Sequence, residues 1–109
     1  MDQQTINAGK TKAIWAYATI LGTIIVIFMN RESHNPFTRF HLRQAFGIFI
    51  LFYLVGIPVS SFDNWLISGP FFLFFFVLWA YGFVNALQGV ARPIPLLGVA
   101  FQRWFSFIE

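Results

Sequence analysis

Residues 30–46 read NRESHNPFTRFHLRQAF, and the two flanks of this block decide the fold. The block holds three of the chain's five arginines and both histidines. Ahead of it, residues 13–29 (AIWAYATILGTIIVIFM) are apolar apart from two threonines. Behind it, residues 47–59 are apolar and uncharged. A charged block clamped between two such runs is a membrane-surface segment.

Composition agrees. The chain has 109 residues, enough for a single domain. Hydrophobic residues make up 58% and charged residues 10%, against about 25% charged in soluble domains. The sequence therefore predicts an all-α integral membrane protein. Without cysteines there is no disulfide framework, thiolate metal site or cysteine nucleophile. The net charge of +3 would suit nucleic acid if it lay on one soluble face. Instead the basic residues flank apolar runs, which points to topology and lipid headgroups and away from a nucleic-acid partner.

The polar start, MDQQTINAGKTK, has the lysines of a signal-peptide n-region. The apolar run after it is longer than an h-region and no small-x-small site follows, which predicts a retained helix. Three spans are expected, at residues 13–29, 42–59 and 65–87, with an amphipathic segment at 96–108. Ala18 and Gly22 form a small-xxx-small pair in the first span, read as close packing within the chain more readily than as a dimer interface. Asn35 and Pro36 form a helix-start signal for the second, which should run from Pro36 to about Gly56 and end at Pro58. The short link at residues 60–64 implies an antiparallel hairpin with the third, which Gly69-Pro70 should interrupt early. In the last segment Gln102, Ser106 and Glu109 follow a helical stripe. That segment should lie on the membrane as an interfacial helix, with a re-entrant or fourth spanning piece as the alternative.

Three spans place the N-terminus beside the 60–64 link. Lys10 and Lys12 then face Arg31, Arg39, Arg43, Arg92 and Arg103 across the membrane. Five against two puts the 30–43 block and the C-terminus in the cytoplasm, and the protein in the inner (cytoplasmic) membrane.

Polar groups entering a membrane need partners, because lipid offers none. If the hairpin turns near residues 62–63, facing residues have numbers summing to about 125. His41 and Gln44 should then meet Tyr81, Asn85 and Gln88 in an interhelical polar clasp. Such bonds contribute about 0.6–2 kcal/mol each. The five arginines are candidates for lipid headgroups or a partner. A proton path through His41 lacks an acidic partner. Haem ligation by His34 and His41 fails because His34 precedes the helix start. The serines lack a matched His–acid pair and no carboxylates pair up, so neither an enzyme nor a cofactor or metal site is expected.

The run Asn35-Pro36-Phe37…Arg39-Phe40-His41-Leu42-Arg43-Gln44-Ala45 resembles the signature of a group of small bacterial membrane proteins. Those are similar to the inner-envelope component of the chloroplast protein-import translocon. The later pattern Asn85…Gly89…Pro93-Ile94-Pro95…Gly98 resembles theirs too. The resemblance implies three or four membrane helices and a small accessory subunit of a larger membrane complex, linked to protein translocation or insertion. The alternative is a homo-oligomeric transport or conduction protein with His41, Gln44 and Asn85 along a wet path.

Overall fold

The apolar run 13–29 is not one helix. A computed structural model of the chain, describing residues 2–108, divides it between two. Helix α1 spans Gln3–Ala16 and α2 spans Ile20–Ser33, with a sharp reversal at residues 17–19. Thr19 makes the break. Its backbone is extended, and its side chain accepts from the Gly22 N–H at 3.1 Å, starting a new helix inside an apolar stretch. The two helices fold back on each other. Thr23 Oγ1 donates to the Ala16 carbonyl at 2.6 Å. A Cβ on Gly22 would stand 2.6 Å from the Trp15 carbonyl oxygen, so only glycine lets the helices approach so closely. At the open end Lys12 donates to Ser33 at 3.3 Å. The expected single span at 13–29 is thus replaced by a hairpin of two 14-residue helices, each about 21 Å long.

Asp2 caps α1 by accepting from the Thr5 N–H, and hydrogen bonds from Thr5 hold its carboxyl below its ordinary value. His34, left-handed at φ 49°, and Asn35 link α2 to α3, Pro36–Val59. Asn35 accepts from the Phe37 and Thr38 N–H groups, and Pro36 occupies the first turn, where its missing N–H costs nothing. Pro58 does not end α3 before Val59. It falls in the last turn, where the chain is exposed. α4, Trp65–Leu87, likewise runs unbroken through Pro70.

Among the described residues there are five helices and no strand. Two of them, α3 and α4, are long and apolar enough to cross a membrane. Only 28% and 17% of their most apolar stretches are buried, unlike the core helices of a soluble protein. They pair antiparallel, with Phe52 stacked on Phe71 and edge-on to Phe75 at centroid distances of 5.5 and 5.6 Å.

α4 ends at Gly89, whose φ of 71° suits glycine, and the Val90 N–H turns back to the Asn85 carbonyl at 2.8 Å. The chain then crosses α3 to reach α5, Gly98–Trp104. α5 is shorter than the expected 96–108 helix. Its stripe is only partly turned to water: Gln102 donates to the Phe40 carbonyl of α3 at 2.7 Å, while Ser106, past the end of α5, is exposed. Phe101 fills a notch at Gly47, and Ile108 is buried. Glu109 lies outside the described residues.

α1 runs alongside the start of α3. Asn35 Nδ2 donates to the Thr5 carbonyl at 2.9 Å, and Thr38 Oγ1 to the Gly9 carbonyl at 3.0 Å. Gly9 is needed there, because a Cβ would collide with Asn35 and Thr38. The N-terminus therefore sits at the same end of the molecule as the 30–43 block and Gly89. The sequence reading placed it at the opposite end, beside residues 60–64. The difference arises because residues 13–29 form parts of two helices and not one.

Candidate functional site

The polar residues of α3 converge on Tyr17, from the apolar run 13–29. Placed at the tip of the α1–α2 hairpin, its ring lies between α3 and α4. Gly82 makes the space, since a Cβ there would stand 2.8 Å from Tyr17 Cε1. Tyr17, His41 and Gln44 are all completely buried.

Their hydrogen bonds form a directed chain. The Val90 carbonyl can only accept, so His41 Nε2, at 2.9 Å, carries the proton. His41 Nδ1 then accepts from the Tyr17 hydroxyl at 2.7 Å. That hydroxyl accepts from Gln44 Nε2 at 3.0 Å. Gln44 Oε1 accepts from the Ile94 N–H at 2.8 Å. The tautomer of a neutral imidazole follows from this order. Phe37 and Phe40 close over His41 edge-on, at centroid distances of 4.7 and 5.2 Å.

This arrangement corrects the expected clasp. His41 and Gln44 do not hydrogen-bond to Tyr81, Asn85 or Gln88. The antiparallel register holds for Phe52 against Phe71 and Phe75, but farther along Tyr17 and residues 90–94 wedge between the helices. Tyr81 is half-buried, and Gln88 is exposed at the end of α4. Asn85 is buried, yet its Nδ2 has no hydrogen-bond partner.

The tip of the hairpin is partly closed by bonds of its own. The Ala16 carbonyl takes Thr23 Oγ1, and the Tyr17 carbonyl takes Trp79 Nε1 at 2.7 Å. Non-helical backbone at membrane depth requires such internal partners.

The arginines divide. Arg43 is not available to a phosphate in the way expected, because Nε donates to the Ile108 carbonyl and Nη2 to the Ser106 carbonyl, at 3.1 and 3.0 Å. It straps the C-terminal segment to α3. Arg31 lies over the Phe28 ring at 5.7 Å. Arg39 is half-buried, while Arg92 and Arg103 are exposed. Among the described residues no Lys or Arg forms an ion pair.

Chemically, the cluster binds helices to one another. Among the described residues no three His, Cys, Asp or Glu side chains gather as a metal site would require. Two grooves, of about 350 and 300 Å³, lie on the α3–α4 hairpin around Phe52, Tyr53 and Phe72 and are not lined by the cluster.

Comparison with known proteins finds one archaeal relative. The chain is 29% identical over 82 residues to "UPF0132 membrane protein MJ1527" of Methanocaldococcus jannaschii. That relative is a membrane protein. The match covers 73% of this chain and 59% of the relative, so the chain spans less than two thirds of the relative's length. With the exposed apolar faces of α3 and α4, it supports a helical membrane protein. No family model matches the chain, and no solved structure does.

Tyr17 was legible only indirectly. Thr19, Gly22 and Thr23 form a helix-start pattern within an apolar run, and such a pattern implies a reversal that brings Tyr17 inside.

Proposed function

We propose that this chain is a small, non-enzymatic accessory subunit of a larger complex in the cytoplasmic (inner) membrane, which it crosses twice through α3 and α4. The observation that carries the reading is the placement of charge. Lys10, Lys12, Arg31, Arg39, Arg43, Arg92 and Arg103 all belong to the end where α1, the start of α3 and the C-terminal segment meet. Between residues 44 and 91 there is no Lys or Arg, and Asp63 is the sole charged residue. The positive-inside rule puts the basic end in the cytoplasm, together with both terminal segments. The three-span alternative requires α2, about 21 Å long, to cross a core about 30 Å thick.

The accessory role is supported by how the polar atoms are used. The cluster's polar groups bond one another and the 90–94 segment, which favours a scaffold over a conduction path. Arg31, Arg92 and Arg103 are left facing outward at the cytoplasmic end, a surface suited to an acidic face of a partner. The resemblance to the import-translocon group directs the search to protein translocation or insertion machinery.

Photo-crosslinking in native membranes tests this. A crosslinker replacing Arg92 or Arg103 should yield one discrete protein adduct, and one replacing Phe72 should yield lipid adducts. Lipid alone at Arg92 and Arg103 would overturn the accessory role. Adducts between copies of the chain would favour the homo-oligomeric conduction reading.

A further inference from the structure

We propose that the chain is a wedge confined to one leaflet, and that it favours membranes in which the leaflet holding the α1–α2 hairpin is convex. The inference rests on the two-crossing reading above.

α2 exposes Leu21, Ile25, Phe28 and Met29, with relative exposures of 68, 59, 61 and 48%, at positions that share one helix face. A face of this kind is at rest only in hydrocarbon. It ends at buried Asn30, followed by exposed Arg31, Glu32 and Ser33, the first polar run of α2. From Thr19 to Met29 the rise is about 15 Å, half of a core about 30 Å thick. α3 keeps the tip in the same half of the core, since Gln44 is only about 8 Å past Arg39. The rise from Arg39 to Val59 is about 30 Å, and Tyr17 at the hairpin tip meets α3 at His41 and Gln44. Past Ile48, the last buried residue of α3, about 17 Å of the helix continues.

Part of the backbone at the tip is bonded internally. The Ala16 and Tyr17 carbonyls accept from Thr23 and Trp79 side chains, and the Gly22 N–H is bonded to Thr19 Oγ1. Internal bonds of this kind lower the cost of placing a reversal below the headgroups.

The two leaflets consequently see different molecules. On the basic side α1, α2 and the C-terminal segment surround α3 and α4. On the other side only α3 and α4 remain. Each added helix brings a cross-section of about 80–110 Å² at a diameter of about 10–12 Å. Extra area in one leaflet alone is relieved when that leaflet bends outward, as with amphipathic helices inserted on one side.

The test is single-vesicle fluorescence of the labelled full-length chain across diameters from about 50 to 400 nm, with orientation read by an impermeant thiol reagent at Gln4→Cys. Molecules with the basic end outward should be enriched about 3-fold per lipid area on the smallest vesicles, and inward-facing molecules depleted. Equal density at every diameter in both orientations overturns the wedge. Labelling of Asp63→Cys in the same vesicles separates the two possible failures. Gln4 and Asp63 on opposite sides with flat density defeats the wedge alone. Both on one side defeats the two-crossing reading beneath it. A second variant, Ile25→Gln with Phe28→Gln, alters only the lipid-facing side of α2. It should abolish the size preference while α3 and α4 stay inserted, and an unchanged preference would count against the wedge.

Discussion

Two regions of the same pair of helices are held together in different ways. In the base, where α1, α2 and the C-terminal segment surround them, lie all eight buried residues of α3, from Phe37 to Ile48. The buried residues of α4 likewise begin only at Phe75. The base is fixed by glycine notches at Gly9, Gly22, Gly47 and Gly82 and by interhelical hydrogen bonds. The outer hairpin has no interhelical hydrogen bond and only the looser approach of Phe71 to Gly56, and it pairs through Phe52, Phe71 and Phe75. Lipid tails are as apolar as leucine, so burial alone drives little association within a membrane. Close packing and hydrogen bonds do the work instead. The base should therefore be the stable unit, and the hairpin an anchor tolerant of change.

Substitutions can break that contrast. Tyr17→Ala should have the largest effect, about 3 kcal/mol, because it leaves a cavity and strips His41 Nδ1 and Gln44 Nε2 of their partner. Unfolding by SDS titration in mixed micelles measures it, and a loss below about 1 kcal/mol would remove Tyr17 as the keystone of the base. Gly82→Val should cost about 2 kcal/mol by forcing the Tyr17 ring aside. In the Tyr17→Ala background the same change should cost far less, and strict additivity would show that the two positions do not meet.

Asn85→Leu carries the opposite sign. It removes the buried Nδ2 that has no partner, so stability should rise by about 1 kcal/mol in the same titration. A fall of that size would reveal a partner for Asn85, such as another subunit. Phe76→Leu probes the hairpin. Phe76 is 63% exposed, and its replacement should shift stability by less than about 0.5 kcal/mol. A larger loss would mean that the outer hairpin, too, is packed against protein.

The contrast also marks what the sequence could tell. Helix starts were legible where side chains write them locally. Asn35-Pro36 begins α3, and Asn64, accepting from the Leu66 N–H at 2.9 Å, begins α4. His41 and Gln44 stood out as polar residues inside an apolar helix. Their partners did not. Tyr17 arrives from a reversal that neither proline nor charge announces, because Thr19 and Thr23 hide it within acceptable membrane composition. Val90 and Ile94 contribute backbone atoms, which carry no sequence signature. The arginines were read as surface groups by their charge, but Arg43 is tied to carbonyls of the C-terminal segment. The pattern of apolar residues reports the solvent around a helix. It says little about which helix comes to lie beside it.

The most direct measurement is single-cysteine accessibility, which this cysteine-free chain permits without a background. Gln4→Cys, Asp63→Cys and Arg92→Cys would each be treated with an impermeant maleimide, in sealed cells and in inverted vesicles. The fold described here predicts that Gln4 and Arg92 react from one side and Asp63 from the other. Reaction of Gln4 together with Asp63, and opposite to Arg92, would mean that residues 13–29 cross the membrane as a single helix. The α1–α2 hairpin and the Tyr17 cluster would then be contradicted together.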